Sequence, residues 1–82
     1  MTTFYEFDRK VDTAHYEVSI DTPACYGYFE HHTRGDLDGG GLWFERLEGG
    51  VLALIDYDGV FSLPAEVKDA LRGMGCIVDE EF

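Results

Sequence analysis

Positive charge is scarce in this chain: six Lys and Arg stand against seventeen Asp and Glu in 82 residues, a formal net charge of −11 with a pI near 4.3. A magnitude of about 2–8 is ordinary for a small domain. A field of this sign repels phosphate backbones and anionic membrane surfaces, which disfavours direct nucleic-acid binding, and it steers the chain toward cationic partners. Cysteine is also scarce. Cys25 and Cys76 are the only two and form no CxxC pair, too few for a secreted disulfide scaffold, so both are expected to be free and buried. The longest apolar run, residues 51–55, is far short of a membrane span. The first residues, Met-Thr-Thr-Phe-Tyr-Glu, lack the basic stretch and apolar core of a secretory signal. A cytoplasmic protein without membrane contact is expected.

What is present argues for a folded domain. Hydrophobic residues make up 45% of the chain and aromatics 15%, too apolar for a disordered acidic tail. A chain of this length buries only about 60–65% of its unfolded surface, so the aromatic rings must supply much of the core. With no internal repeat or linker, residues 1–82 read as a single domain.

The periodicity predicts an α+β fold: a mostly antiparallel sheet of four to six strands with one C-terminal helix packed on one face. Residues 3–8 alternate loosely and suggest a short first strand, followed by a connection over residues 9–12. Residues 14–20 alternate cleanly, Tyr16, Val18 and Ile20 against His15, Glu17 and Ser19, the mark of a half-buried strand. Asp21-Thr22-Pro23 ends it. Residues 24–32 read as a strand covered on both faces, with Tyr26 and Tyr28 on one side and Cys25, Phe29 and His31 on the other. Residues 33–41 hold so much glycine that they are expected to form the most mobile loop of the chain. Residues 42–47 and 51–57 are expected to pair through a Glu48-Gly49-Gly50 hairpin, the second of them a central strand covered on both sides. Asp58-Gly59 signals another turn before a short strand over residues 60–63.

Pro64 suits a first helical position and Glu66 the positive end of the helix dipole. Val67, Ala70, Leu71 and Met74 then share one face. Gly73 or Gly75 is expected to end the helix in the left-handed conformation. Residues 76–78 suggest a last short strand, and residues 79–82 an acidic tail.

No motif specifies a reaction. His31 and His32, with His15 and Cys25 elsewhere, invite a zinc reading, but adjacent strand residues point to opposite faces and do not share one ion. Asp36-Leu37-Asp38-Gly39-Gly40-Gly41 resembles the opening of a calcium loop, yet its fifth position is Gly40 and its twelfth Leu47, where a carboxylate or amide and a bidentate Glu belong. The glycines precede a strand rather than a helix N-terminus, against phosphate binding. No metal, cofactor or catalytic residue is expected, and the chain reads as no enzyme.

Acid recurs on strand and hairpin positions, Glu17, Glu30, Glu45, Asp56 and Asp58, with Asp36 and Asp38 in the loop between. Carboxylates two apart on a strand are separated by about 6.8 Å along it, an extended negative surface crudely comparable to a phosphate backbone. Small size, low pI and an alternating acidic sheet resemble the DNA-mimic inhibitors of phages and mobile elements, anti-CRISPR proteins among them. That resemblance is to a class, across the whole chain. It implies an inhibitor acting in the host cytoplasm on a basic nucleic-acid-binding protein, for instance a CRISPR effector subunit. The expected partner-binding residues are Glu30, Asp36, Asp38, Glu45, Asp56 and Asp58, with Trp43 as an aromatic anchor. An antitoxin or immunity protein would turn the same acid on a basic toxin. A non-catalytic assembly component would use its aromatic face to form a homodimer or larger oligomer.

Overall fold

The structure, a computed structural model, describes residues 6–82. It is α+β: a five-stranded antiparallel meander, β1 (Arg9–Asp12), β2 (Tyr16–Asp21), β3 (Tyr26–His31), β4 (Gly35–Arg46) and β5 (Leu52–Tyr57), in spatial order β1-β2-β3-β4-β5, followed by one helix, α1 (Ala65–Gly73). One face of the sheet carries the core. Tyr16, Val18 and Ile20 of β2, Phe29 of β3, Leu42 and Phe44 of β4 and Leu52 and Leu54 of β5 pack with Leu63, Val67, Leu71, Cys76 and Val78. Phe29, Ile20, Leu42, Leu71, Val18 and Val67 are wholly buried, each worth about 1.5–3 kcal/mol relative to exposure.

The edges of this sheet differ from the sequence expectation in four places. The expected first strand over residues 3–8 falls partly outside the described residues, and residues 6–8 are irregular. The strand lies instead at Arg9–Asp12, the expected connection, because Val11 sits opposite Val18 and packs against the core. Residues 60–63 form no strand. The free edge of β5 is taken by the C-terminal segment, where Ile77 bridges Ala53 in parallel, Leu54 N–H donates to the Ile77 carbonyl (2.9 Å) and Ile77 N–H to that of Leu52 (2.9 Å). This single bridge is what remains of the last strand expected over residues 76–78. Finally, β5 is covered on one face only, Ile55 being 54% exposed, whereas no residue of β3 is exposed.

The largest correction concerns the glycines. Residues 35–41, expected to be a mobile loop, belong to β4, and Gly39, Gly40 and Gly41 are buried. A Cβ on Gly39 would stand 2.4 Å from the Phe29 carbonyl oxygen, and one on Gly40 1.8 Å from that of Asp58. These glycines serve close backbone approach, not conformational freedom. The β4–β5 hairpin is as expected: Gly49 and Gly50 take φ of 80° and 81°, and Leu47 N–H donates to the Val51 carbonyl at 2.7 Å.

Helix α1 follows Pro64 and buries Val67 and Leu71, with Ala70 and Met74 partly buried beside them. Gly75, at φ 90°, ends it. Its N–H donates to the Arg72 carbonyl (3.0 Å) and Cys76 N–H to that of Leu71 (3.0 Å), the paired bonds of a Schellman motif. The tail is tied down: Lys68 Nζ donates to the Phe82 carbonyl at 2.8 Å, and the Phe82 ring meets Tyr57 edge-on at 5.9 Å.

Candidate functional site

With the helix on one side, strand alternation assigns a second set of residues to the opposite face, and none of them belongs to the core cluster. From the β1 edge inward these are Lys10 and Asp12, then Glu17, Ser19 and Asp21, then Tyr26, Tyr28 and Glu30, then Gly41, Trp43 and Glu45. On β5 a bulge opposite Trp43 and Phe44 changes the alternation. Leu54 and Tyr57 both face the core, so Ile55 and Asp56 both turn to the open side.

Aromatic rings occupy the middle of this face. Tyr26 and Trp43 are register partners on β3 and β4, their rings edge-on at 5.6 Å. Both lie over Gly41, where a Cβ would stand 3.0 Å from Trp43 Cη2, 3.1 Å from the Tyr26 hydroxyl and 3.2 Å from Asp58 Oδ1. Asp58 reaches this corner by accepting the Gly41 N–H at 2.8 Å. Asp56 pairs with Trp43 across the ladder, and Glu45 with Ala53.

At the other end, Glu17 and Glu30 are direct register partners on β2 and β3, a like-charge arrangement that costs stability. Lys10 relieves it from β1, 3.2 Å from Glu17. A shallow depression of about 190 Å³ lies there, lined by Glu17, Glu30, His31 and His32. The Tyr28 hydroxyl donates to Asp36 at 2.9 Å. Burial first, and then this bond to an anion, push its ionisation up to about 12.

Of the site residues expected from sequence, Trp43, Glu45, Asp56 and Asp58 gather at the β4–β5 side of the open face, and Glu30 and Asp36 at its β2–β3 side. Asp38 does not join them. The register shift between Phe29 and His31 turns it toward Tyr16, whose hydroxyl donates to it at 2.7 Å. The Tyr16 ring belongs to the core, and burial together with Asp38 raises its ionisation to about 12.

The histidines serve the turns. His31 Nδ1 accepts the N–H groups of Thr33 (3.2 Å) and Arg34 (3.3 Å), and its ring meets Tyr16 edge-on at 5.0 Å. His32 Nε2 lies 3.2 Å from the Thr13 carbonyl. His15 Nδ1 lies 2.9 Å from Glu66 Oε1, its N–H donates to Glu66 Oε2 at 2.7 Å, and Thr13 Oγ1 donates to the same oxygen. The His15 side-chain bond first, and then Thr13, hold the Glu66 carboxyl down at about 2. Among the described residues no group of His, Cys, Asp and Glu is arranged to hold a metal ion, and no helix is long and apolar enough to cross a membrane.

Sequence reasoning missed the Thr13–His15–Glu66 junction, which joins residues far apart in the chain, and it missed Ile55 as part of the open face, because a bulge leaves no sequence signature here. Comparison with known protein families, characterised proteins and solved structures finds no match for this chain.

Proposed function

We propose that this protein is a small non-catalytic inhibitor that acts in the cytoplasm by covering a basic, nucleic-acid-binding surface of a partner protein, in the manner of the anti-CRISPR type of DNA mimic. The observation that carries this reading is the open sheet face: Tyr26, Tyr28 and Trp43 lie in its middle, bordered by Glu17, Glu30, Asp36, Glu45, Asp56 and Asp58, in a chain of net charge −11. The exposed Trp43 and the half-buried Tyr26 and Tyr28 supply anchor area, and the carboxylates supply steering and register against Lys and Arg. A CRISPR effector subunit is one partner with the required surface.

The test is capture of partners from a host lysate on immobilised protein, followed by competition on the purified pair. The expected partner binds DNA or RNA on its own, loses the inhibitor to added nucleic acid, and binds it progressively more weakly as salt rises. A tight partner that nucleic acid does not displace would overturn the reading and favour a toxin–immunity pair. A second reading, self-assembly through the same face, is favoured by the exposure of Trp43, Ile55 and Ile77; concentration-dependent sedimentation of the pure chain is its signature.

A further inference from the structure

The β4–β5 side of the open face differs from the rest in being apolar as well as acidic. Trp43 is 37% exposed, Ile55 54% and Ile77 53%. Ile77 lies beside Ala53, which is the register partner of Glu45, and Ile55 shares the bulge with Asp56. An exposed indole, aliphatic side chains and the carboxylates of Glu45, Asp56 and Asp58 thus form one continuous corner. A phosphate mimic needs only the carboxylates.

We propose that this corner takes an arginine-bearing segment of the partner, with a guanidinium lying against the Trp43 indole and paired with Asp56 and Asp58, and the remainder of the segment resting on Ala53, Ile55 and Ile77. This deepens the function proposed above and rests on it. The occupant follows from charge and chemistry. A segment of nucleic acid is repelled by the carboxylates. A second copy would bring identical acids face to face in an isologous contact, each copy carrying −11. Among cations, guanidinium is planar and weakly hydrated and stacks on aromatic faces while presenting paired N–H groups to carboxylates. The lysine ammonium is a strongly hydrated point charge that gains little from the indole or its apolar surround.

Trp43 is the only tryptophan, so its fluorescence reports this corner directly. The intact protein is titrated with acetylated hexa-arginine and hexa-lysine amides, by tryptophan emission and by calorimetry. Hexa-arginine is expected to bind at least about three-fold more tightly than hexa-lysine and to change Trp43 emission. That preference is expected to vanish in Trp43→Leu and to persist in Trp43→Phe. Asp56→Asn, at an exposed position, is expected to weaken hexa-arginine by a similar factor and stands in should Trp43→Leu fail to fold. Equal, salt-sensitive binding of both peptides with unchanged emission overturns the arginine subsite and leaves the acidic-face reading standing. Binding of neither overturns both, and a Trp43-dependent dimer overturns the assignment of the occupant.

Discussion

Asp36 and Asp38 stand two residues apart on one strand, yet their carboxylates accept hydroxyls on opposite sides of the sheet: Asp36 from Tyr28 at 2.9 Å on the open face, Asp38 from Tyr16 at 2.7 Å beside the core. Regular alternation would place both on one side. The register shift between Phe29 and His31 separates them, and it divides two acids of similar sequence context into one available to a partner and one committed to the fold.

Substitution by lysine is therefore expected to act differently at the two sites. Asp36→Lys weakens partner binding and lowers the unfolding midpoint only a little, because the Tyr28 hydroxyl it releases lies at an exposed site where water replaces the lost acceptor. Asp38→Lys deprives the buried Tyr16 hydroxyl of its acceptor and costs about 1–3 kcal/mol, read by urea denaturation. Equal stability of the two variants would show that the division between them is wrong.

Gly40 and Gly73 give an opposed pair. A Cβ on Gly40 would stand 1.8 Å from the Asp58 carbonyl oxygen and 2.9 Å from Gly59 Cα, backbone atoms that cannot turn aside, whereas one on Gly73 meets nothing within 4 Å. Gly40→Ala is expected to cost about 3 kcal/mol or more. Gly73→Ala, at the end of α1 with no left-handed φ to strain, is expected to stabilise by about 0.5–1 kcal/mol through helix propensity and a less entropic unfolded chain. Thermal unfolding of the two variants beside the parent decides both.

The glycines also mark where sequence reading reaches its end. Periodicity in residues 16–20 and in Val67, Leu71 and Met74, and the turn chemistry of Gly49-Gly50, are local signals; they correctly identified β2, α1 and the β4–β5 hairpin. Gly39-Gly40-Gly41 carries no side-chain pattern, and its reason for being glycine lies in Phe29 and Asp58, which approach it only after folding. The acidic composition likewise pointed to a charged face. It did not separate Asp38 from Asp36 or add Ile55 to Asp56, because a register shift and a bulge decide those and neither is written in the local residue types.

Tyr16 and Tyr28 set the alkaline limit. Burial and their bonds to Asp38 and Asp36 raise both to about 12 in the folded chain, against 10.0 for an unperturbed tyrosine. The folded state thus holds protons that the unfolded state has released. The stability this contributes is complete below pH 10 and lost as pH rises through about 12. Tyrosinate absorbance is expected to show two late-titrating groups, and the Tyr16→Phe, Tyr28→Phe double variant is expected to lose stability less steeply over that window than the parent. A parent whose alkaline slope equals that of the double variant would contradict this.

Glu66 works in the opposite direction, at the acid end. Its carboxylate accepts bonds from the His15 ring, the His15 N–H and the Thr13 hydroxyl, and so ties the first turn of α1 to the β1–β2 turn. These bonds hold it at about 2 against an ordinary 4.5. A depressed carboxyl contributes stability that is present above its unfolded value and disappears as pH falls through its folded one. Glu66→Gln is accordingly expected to unfold at lower urea than the parent at neutral pH, the gap narrowing below about pH 4.5 and closing near pH 2. A gap that stays constant across that range would mean that the variant loses packing at the helix start rather than the charge-assisted bonds to residues 13 and 15.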